Sequence, residues 1–229
     1  MLTECTSAIA KAYSRLDYSL GWRFLYSPAR TMQCANGFLL LGTNPGGDRY
    51  QVSKTVESGN AFIVEDWGRE GIGLQNQVRL LFDLLETQFQ GRRGDGESLL
   101  SETMTSNFCP FRSPTWRQLP RQSEAIAFSA SLWHAILTQV SPRVIICMGT
   151  IAYPFIRETL FLLANSKGRV TLLPTGWGDY AFSIHKFERA GSPIVLAHLP
   201  HLSRYKLMSR SQCLPYVKGF VERIHHAAT

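Results

Sequence analysis

Two short, wholly apolar runs, Phe38–Leu41 and Val144–Met148, constrain this chain more than any other feature. Neither is long enough for a helix and neither alternates with polar residues, so each predicts a strand buried on both faces. Each ends at a glycine, Gly42 and Gly149. A strand covered on both sides needs helices above and below it, and the intervening sequence supplies them. Residues 4–19 read as a helix. Leu74 to Phe89 carries apolar residues at Leu74, Val78, Leu81, Phe82 and Leu85, which is helical spacing. A further helix runs from near Ser123-Glu124 to Ser141-Pro142, another covers Ala152–Leu163 with Pro154 in its tolerant first turn, and a last one covers about Tyr216–His226. Met104–Phe108, Val170–Leu173, Ala181–Ile184 and Ile194–His198 are the remaining strands; Gly21–Gly37 and Gly91–Gly96 read as loops.

Strands separated by helices predict an α/β fold, a three-layer sandwich around a central, mostly parallel sheet, with residues 1–229 as a single domain. In such sheets ligands bind at the carboxyl ends of the strands. The loops after Leu41, Thr105, Met148 and His198 are therefore where chemistry is expected.

Composition excludes several classes. No apolar run approaches the ~18 residues of a membrane span, and Glu4 interrupts any leader-like start, so a cytoplasmic or nucleoid-associated protein is expected. The five cysteines are widely spaced with no C-x2-C pair, which predicts buried free thiols and no disulfide framework or zinc ribbon. Charge is one-sided. Residues 1–100 hold 10 basic and 11 acidic side chains, residues 101–229 hold 14 and 6, and from Arg189 onward six basic residues face one acid. That asymmetry suits either a polyanion-binding face or a generic basic surface.

Three stretches fall on the expected loops. Gly42-Thr43-Asn44-Pro45-Gly46-Gly47 follows the first strand; it is turn chemistry, but its glycines also let a ligand approach the backbone. It lacks the Lys-Ser/Thr of a phosphate-gripping loop and the G-x-G-x-x-G of a dinucleotide site. Ser106 to Pro114 places Asn107 at a strand end, where an amide either caps a turn or presents a donor and an acceptor together to a base edge. His198-Leu199-Pro200-His201-Leu202-Ser203-Arg204-Tyr205-Lys206-Leu207 puts two histidines at the end of an apolar strand, before a basic, aromatic-bearing loop. A histidine there either stabilises an oxyanion or is a satisfied polar residue, and neither has acidic or thiol neighbours for metal binding.

In this order the stretches resemble the uracil-DNA glycosylase superfamily. Gly42–Gly46 is similar to the G-I-N-P-G motif of its mismatch-specific uracil/thymine branch, and Leu199–Ser203 to its H-P-S or L-P-N-P-S motif, with Leu202 in place of proline. Gly59-Asn60-Ala61-Phe62-Ile63 resembles the G-R-P-F-V segment of the iron–sulfur branch. Asn107–Pro114 resembles that branch's T-N-x-x-K-C-R-P-P, and Pro142–Gly149 its P-x-V-I-x-x-x-G strand. Phe111 stands where that branch has a cluster cysteine, so no metal cluster and no cofactor is expected.

The resemblance implies a monofunctional DNA glycosylase that extrudes a nucleotide and hydrolyses its N-glycosidic bond. Phe62 would stack on the flipped base and Asn107 would read its edge. Asn44 would position the attacking water, and His201 would hydrogen-bond the leaving base; the H-x-S spacing to Ser203 favours His201 over His198. Gly46 replaces a tyrosine that in strict uracil enzymes crowds the C5 edge, which implies a pocket open to a uracil-type or C5-modified pyrimidine, including the bulky bases of some bacteriophage genomes. The role would be base-excision repair or defence against such DNA. Ser203 with the backbone near Gly46 and Gly47 would grip phosphates, Tyr205 or Leu207 would fill the vacated stack, and Arg204, Lys206 and Arg210 would lie on the strand. DNA is the expected partner and a monomer the expected state. Two other readings stand beside this one, a non-catalytic DNA- or modified-base-binding module and an enzyme of free nucleosides; the basic carboxyl-terminal half opposes the second.

Overall fold

A computed structural model describes residues 1–33, 37–91, 96–164 and 169–229, without the side chains of residues 69–72 and 169. Cys34 and most of the expected Gly91–Gly96 loop lie outside the described residues. The elements in chain order are α1 (Leu2–Arg15), β1 (Phe38–Gly42), α2 (Ala61–Val64), α3 (Gly68–Gln90), α4 (Glu97–Glu102), β2 (Met104–Asn107), α5 (Gln122–Gln139), β3 (Val144–Met148), α6 (Ala152–Leu163), β4 (Arg169–Pro174), β5 (Ala181–Arg189), β6 (Ser192–Leu199) and α7 (Leu214–Ala228). They build a six-stranded sheet in the order β2-β1-β3-β6-β5-β4. The first four strands in that order are mutually parallel, and β5 and β4 complete the sheet antiparallel. The mostly parallel α/β architecture expected from the sequence is the one observed.

Why the strands are apolar throughout follows from what covers them. Leu39 and Leu41 of β1, Ile145 and Cys147 of β3, and Ile194 and Leu196 of β6 point to one face, against Ile9 of α1, Trp133 and Ile136 of α5, and Ile156 of α6. The alternate residues, Phe38, Leu40, Val144, Ile146, Val195 and Ala197, point to the other, against Phe82 and Leu85 of α3, Leu100 of α4, and Phe220 and Ile224 of α7. Successive side chains leave a strand on opposite faces, so a two-sided core needs apolar residues at every position. The hairpin joining β5 to β6 turns on Ala190 and Gly191, both at positive φ (51° and 78°). That is the primed geometry that matches strand twist.

Two expectations are corrected, and one element is unforeseen. The first helix ends at Arg15 and not near residue 19, because Asp17 adopts a left-handed φ of 56° while Leu16 and Tyr18 remain buried. Its apolar pattern outlasts its helix. Within the expected Gly21–Gly37 loop, residues 22–26 are irregular but interior: Trp22, Phe24 and Leu25 are buried, and the N–H groups of Arg23, Phe24, Leu25 and Tyr26 donate to the carbonyls of Pro110, Lys54, Thr55 and Thr105, before a 3-10 turn at Ala29–Gln33. Those partners come from remote loops, which no local pattern reveals. Helix α4 has six residues, too few to show a period.

Truncation should report this two-sided burial. Ile146→Ala, in the sealed centre of β3, is expected to lower unfolding free energy by about 2–5 kcal/mol. Leu172→Ala, on the exposed edge strand β4, should stay within about 0.5 kcal/mol of wild type by chemical denaturation.

Candidate active site

The carboxyl ends of β1, β2, β3 and β6 open onto a cavity of about 670 Å³, whose walls include Gly42, Asn44, Gly46, Phe62, Asn107 and His201. Four widely separated stretches of chain therefore meet in one cleft. Parallel pairing aligns the strand ends, with Gly42 opposite Asn107 in the β1–β2 register. The approach is close: a Cβ at position 42 would lie 2.2 Å from Asn107 Oδ1, so only glycine leaves room for that amide. Gly149 borders the opposite wall, where a Cβ would sit in ordinary contact with the His201 side chain (3.4 Å), and its φ of 83° is what favours glycine there.

Phe62 is held by its own motif. Asn60 caps α2 by accepting from the Phe62 N–H at 3.1 Å while its Nδ2 donates to the Leu100 carbonyl at 2.7 Å. Arg79 of α3 then donates to the carbonyls of Phe62 and Ile63, both at 2.8 Å. The ring sits 4.8 Å from Trp67 and 6.4 Å from Tyr26, forming an aromatic wall.

Asn44 is fixed with its amide nitrogen inward. Nδ2 donates to Ser113 Oγ at 2.8 Å, to the Pro45 carbonyl at 3.0 Å and to the Phe111 carbonyl at 3.4 Å. Two carbonyls can only accept, so they define which end of the amide faces them and leave Oδ1 as the acceptor available to the cleft.

His201 is poised in a single neutral tautomer. Its Nδ1 accepts from the Ser203 backbone N–H at 3.3 Å and lies 2.8 Å from Ser203 Oγ. Accepting a backbone N–H requires Nδ1 to be bare, which puts the ring proton on Nε2. Burial, with the nearby Arg204 charge, pulls the imidazole pKa down to about 4. His198 takes the other face: its ring lies 4.8 Å from Tyr153 of α6, and it lines not this cavity but an outer groove that Asn44 and His201 also border.

Several wall residues escaped sequence reasoning. Arg23 donates to both oxygens of Glu65 (3.1 and 2.5 Å), lies 2.7 Å from Glu57, and places its guanidinium 3.9 Å over the Tyr26 ring. Trp67 Nε1 donates to Glu65 at 2.7 Å. Burial alone would raise the Glu65 carboxyl, but the bonds from Arg23 and Trp67 outweigh it and hold the pKa below its ordinary value. Arg112 donates to the Gly46 carbonyl and packs beneath Gly47, whose φ of 113° requires glycine. Tyr26 shares the cavity wall with Asn107. Arg112 lay inside a recognised stretch, but Arg23 and Tyr26 sat in a segment with no motif.

The basic loop is only partly as expected. Arg204, Lys206 and Arg210 are exposed, and Tyr205 is half-buried. Leu207 is not a candidate wedge: it is fully buried with Leu202 in the core beside α3, and the next residue's N–H donates to Gln77 Oε1 at 2.8 Å. An apolar residue in an amphipathic loop was equally free to point inward, and here it does. Leu202, where the family has proline, serves as an inward anchor. Ser203 is engaged with His201, so its hydroxyl is already committed to orienting the ring.

At the position of the iron–sulfur branch's cluster cysteine, Phe111 is buried, 4.6 Å from the Tyr18 ring and 5.5 Å from Phe128. Cys109 beside it is sealed, and burial pushes its thiol up to about 12, with no second cysteine next to it. These residues do not fit a cluster. Among the described residues no set of three His, Cys, Asp or Glu side chains is arranged to hold a metal, and no helix is long and apolar enough to cross a membrane.

The sequence model of the Uracil DNA glycosylase superfamily matches residues 33–218, most of the chain and every cleft residue motif described above. The chain belongs to that superfamily, a group of DNA glycosylases. No individual curated protein matches it significantly.

The His201 geometry has a measurable consequence. A folded pKa near 4 lies below the ~6.5 of an unfolded histidine, so the unfolded chain binds more protons between those values. Stability attached to this residue is complete above about pH 6.5 and is lost as pH falls towards 4. Thermal melts of wild type and His201→Gln should therefore diverge at pH 7 and converge near pH 4; parallel curves would disprove the buried neutral ring.

Proposed function

We propose that this protein hydrolyses the N-glycosidic bond of an extruded pyrimidine nucleotide in DNA, leaving an abasic site. The observation that supports it most is the convergence of Asn44, His201, Phe62 and Asn107 on one cavity.

A base inside a duplex stack cannot be attacked at its sugar, so it must first leave the stack. In the cavity, the Phe62 ring would cover one face of the base and the Asn107 amide would bond its edge. Bond cleavage develops positive charge on the sugar and negative charge on the departing base. His201 Nε2–H would meet the anionic carbonyl oxygen of that base as a neutral donor already aimed and partly desolvated. No proton needs to transfer, and a ring of such low basicity would not carry a second proton at neutral pH. On the sugar side, Asn44 Oδ1 would accept a hydrogen bond from the attacking water and align it with the anomeric carbon. An amide has no useful basicity, so its contribution is orientation and not proton abstraction. The water's proton leaves to solvent after attack, and the base anion is protonated once released.

The substrate class we favour includes pyrimidines enlarged at C5. A side chain at Gly46 would project into open space, with no atom within 4 Å of its Cβ, so the room there is not dictated by packing. The cavity also continues past Arg112 into a polar lobe of about 410 Å³ lined by Gln51, Lys54 and Asp66. A substituted base would fit where a bare uracil would leave water. Such a preference would suit defence against foreign DNA better than housekeeping repair.

Base release from DNA carrying uracil, mismatched thymine or C5-modified cytosine tests the proposal, read as alkali-labile strand breaks under single-turnover conditions. Release is expected from at least one substrate, with His201→Ala slowed by about 10²–10³-fold and Asn44→Ala by roughly 10²-fold. Binding without release from every substrate would identify a DNA reader instead. Gly46→Tyr should abolish release of enlarged bases while sparing uracil.

A further inference from the structure

The cavity that holds Asn44 and His201 has a second side. Asn44, Gly46 and His201 also border an outer groove of about 410 Å³, whose far rim carries Tyr180, Arg204 and Tyr205. These three shared residues form a ridge between the pocket and the groove, and a nucleotide straddling the ridge would leave its neighbours in the groove. With Leu207 buried, the question is which side chain fills the gap left by the extruded base.

Tyr180 lies on the connection from β4 to β5, remote in sequence from the histidine loop. It is 47% exposed, against a half-buried Tyr205, and the two rings are 4.5 Å apart. Tyr205 in turn meets Trp177 edge-on at 5.8 Å, and the Arg210 guanidinium lies 3.6 Å over the Trp177 ring. The connection is rigid: the buried Thr175 Oγ1 donates to the Tyr180 carbonyl at 2.9 Å and accepts from the Trp177 N–H at 3.1 Å, and the Thr175 N–H donates to the Tyr180 carbonyl at 3.1 Å. Two further aromatic rings and an arginine are thus packed in series behind one exposed phenol. A surface that fixes an exposed aromatic this firmly has already lost the side-chain entropy that stacking would otherwise cost.

We infer that Tyr180, braced by Tyr205, Trp177 and Arg210, is the side chain that stacks on the DNA beside the extruded nucleotide, in a groove continuous with the His201 ridge. It is a positioning residue. It holds the strand open and touches none of the reacting atoms. The inference rests on the proposed DNA glycosylase reading, since it needs a nucleic acid in the groove. Stacking is tolerant of base identity, so Tyr180 would set affinity for a distorted site without selecting the base that is cut.

The test uses the full-length protein and a duplex holding a tetrahydrofuran abasic analogue flanked by 2-aminopurine, whose fluorescence reports stacking. Binding a base on an aromatic side chain is worth about 1–3 kcal/mol, so Tyr180→Ala should weaken binding about tenfold or more and remove most of the fluorescence change on binding. Tyr180→Phe, which keeps the ring, should bind within about twofold of wild type. The salt dependence of affinity should be unchanged in both, because no phosphate contact is lost, whereas Arg204→Ala should flatten it. Equal thermal melting of the variants ensures that fold loss is not being measured. Wild-type affinity and fluorescence in Tyr180→Ala would overturn the inference, as would a loss shared equally by Tyr180→Phe. Failure of the glycosylase reading is seen separately, as wild-type protein that binds this duplex but releases no base from any substrate.

Discussion

Everything in the cleft depends on burying β1 and β3 on both faces. Once Phe38–Leu41 and Val144–Met148 are sandwiched between two helical layers, their chain direction is shared and their carboxyl ends lie side by side. The loops that leave those ends have one side of the molecule available to them. Gly42 and Gly149 stand at the two exits: at the first a side chain would collide with Asn107, and at the second the backbone takes a left-handed turn beside His201. The hydrophobic effect supplies the driving force, but its functional result is positional: it aligns polar groups from positions separated by more than 150 residues of chain.

The wall of the cleft is built differently from its support. Arg23, Glu57 and Glu65 form an ion cluster at the pocket wall, with Trp67 donating into it and Tyr26 lying under the guanidinium. Removing charges from water carries a large penalty, and such clusters add little net stability over an apolar core. What this cluster does is fix shape. Bidentate geometry locks Arg23 and Glu65 relative to each other, and through them the aromatic wall that includes Phe62. Arg112 does the same for the Gly46–Gly47 turn from below.

A common logic links the two residues at the ridge. Each side chain has one polar end satisfied by protein, which under the proposed function leaves the other for the substrate. Asn44 commits its Nδ2 to Ser113 and two carbonyls, and His201 commits its Nδ1 to Ser203. Preorganisation of this kind removes the reorganisation that solvent would need when charge develops. It also accounts for the depressed basicity of His201, since a half-desolvated ring near Arg204 is poorly placed to hold a second charge.

Local chemistry made much of this legible in advance. Apolar runs fixed by burial, helical periods in α3 and α6, and glycine-bounded strand ends are properties of contiguous residues, and the order of the short stretches was enough to suggest the superfamily. The sequence by itself thus determined the layers, the strand ends and the group of residues offered to the cleft. It could not determine what depends on distance through space. Arg23 and Tyr26 enter the wall only because an irregular segment borrows backbone partners from Lys54, Thr55, Thr105 and Pro110. Leu207 turned inward because α3 offered its N-terminal half as a neighbour, and Tyr180 reached the His201 groove because antiparallel β5 starts beside it. Each of those outcomes was settled by packing between remote parts of the chain, where one apolar or aromatic residue has two environments to choose from and only the assembled tertiary structure decides between them.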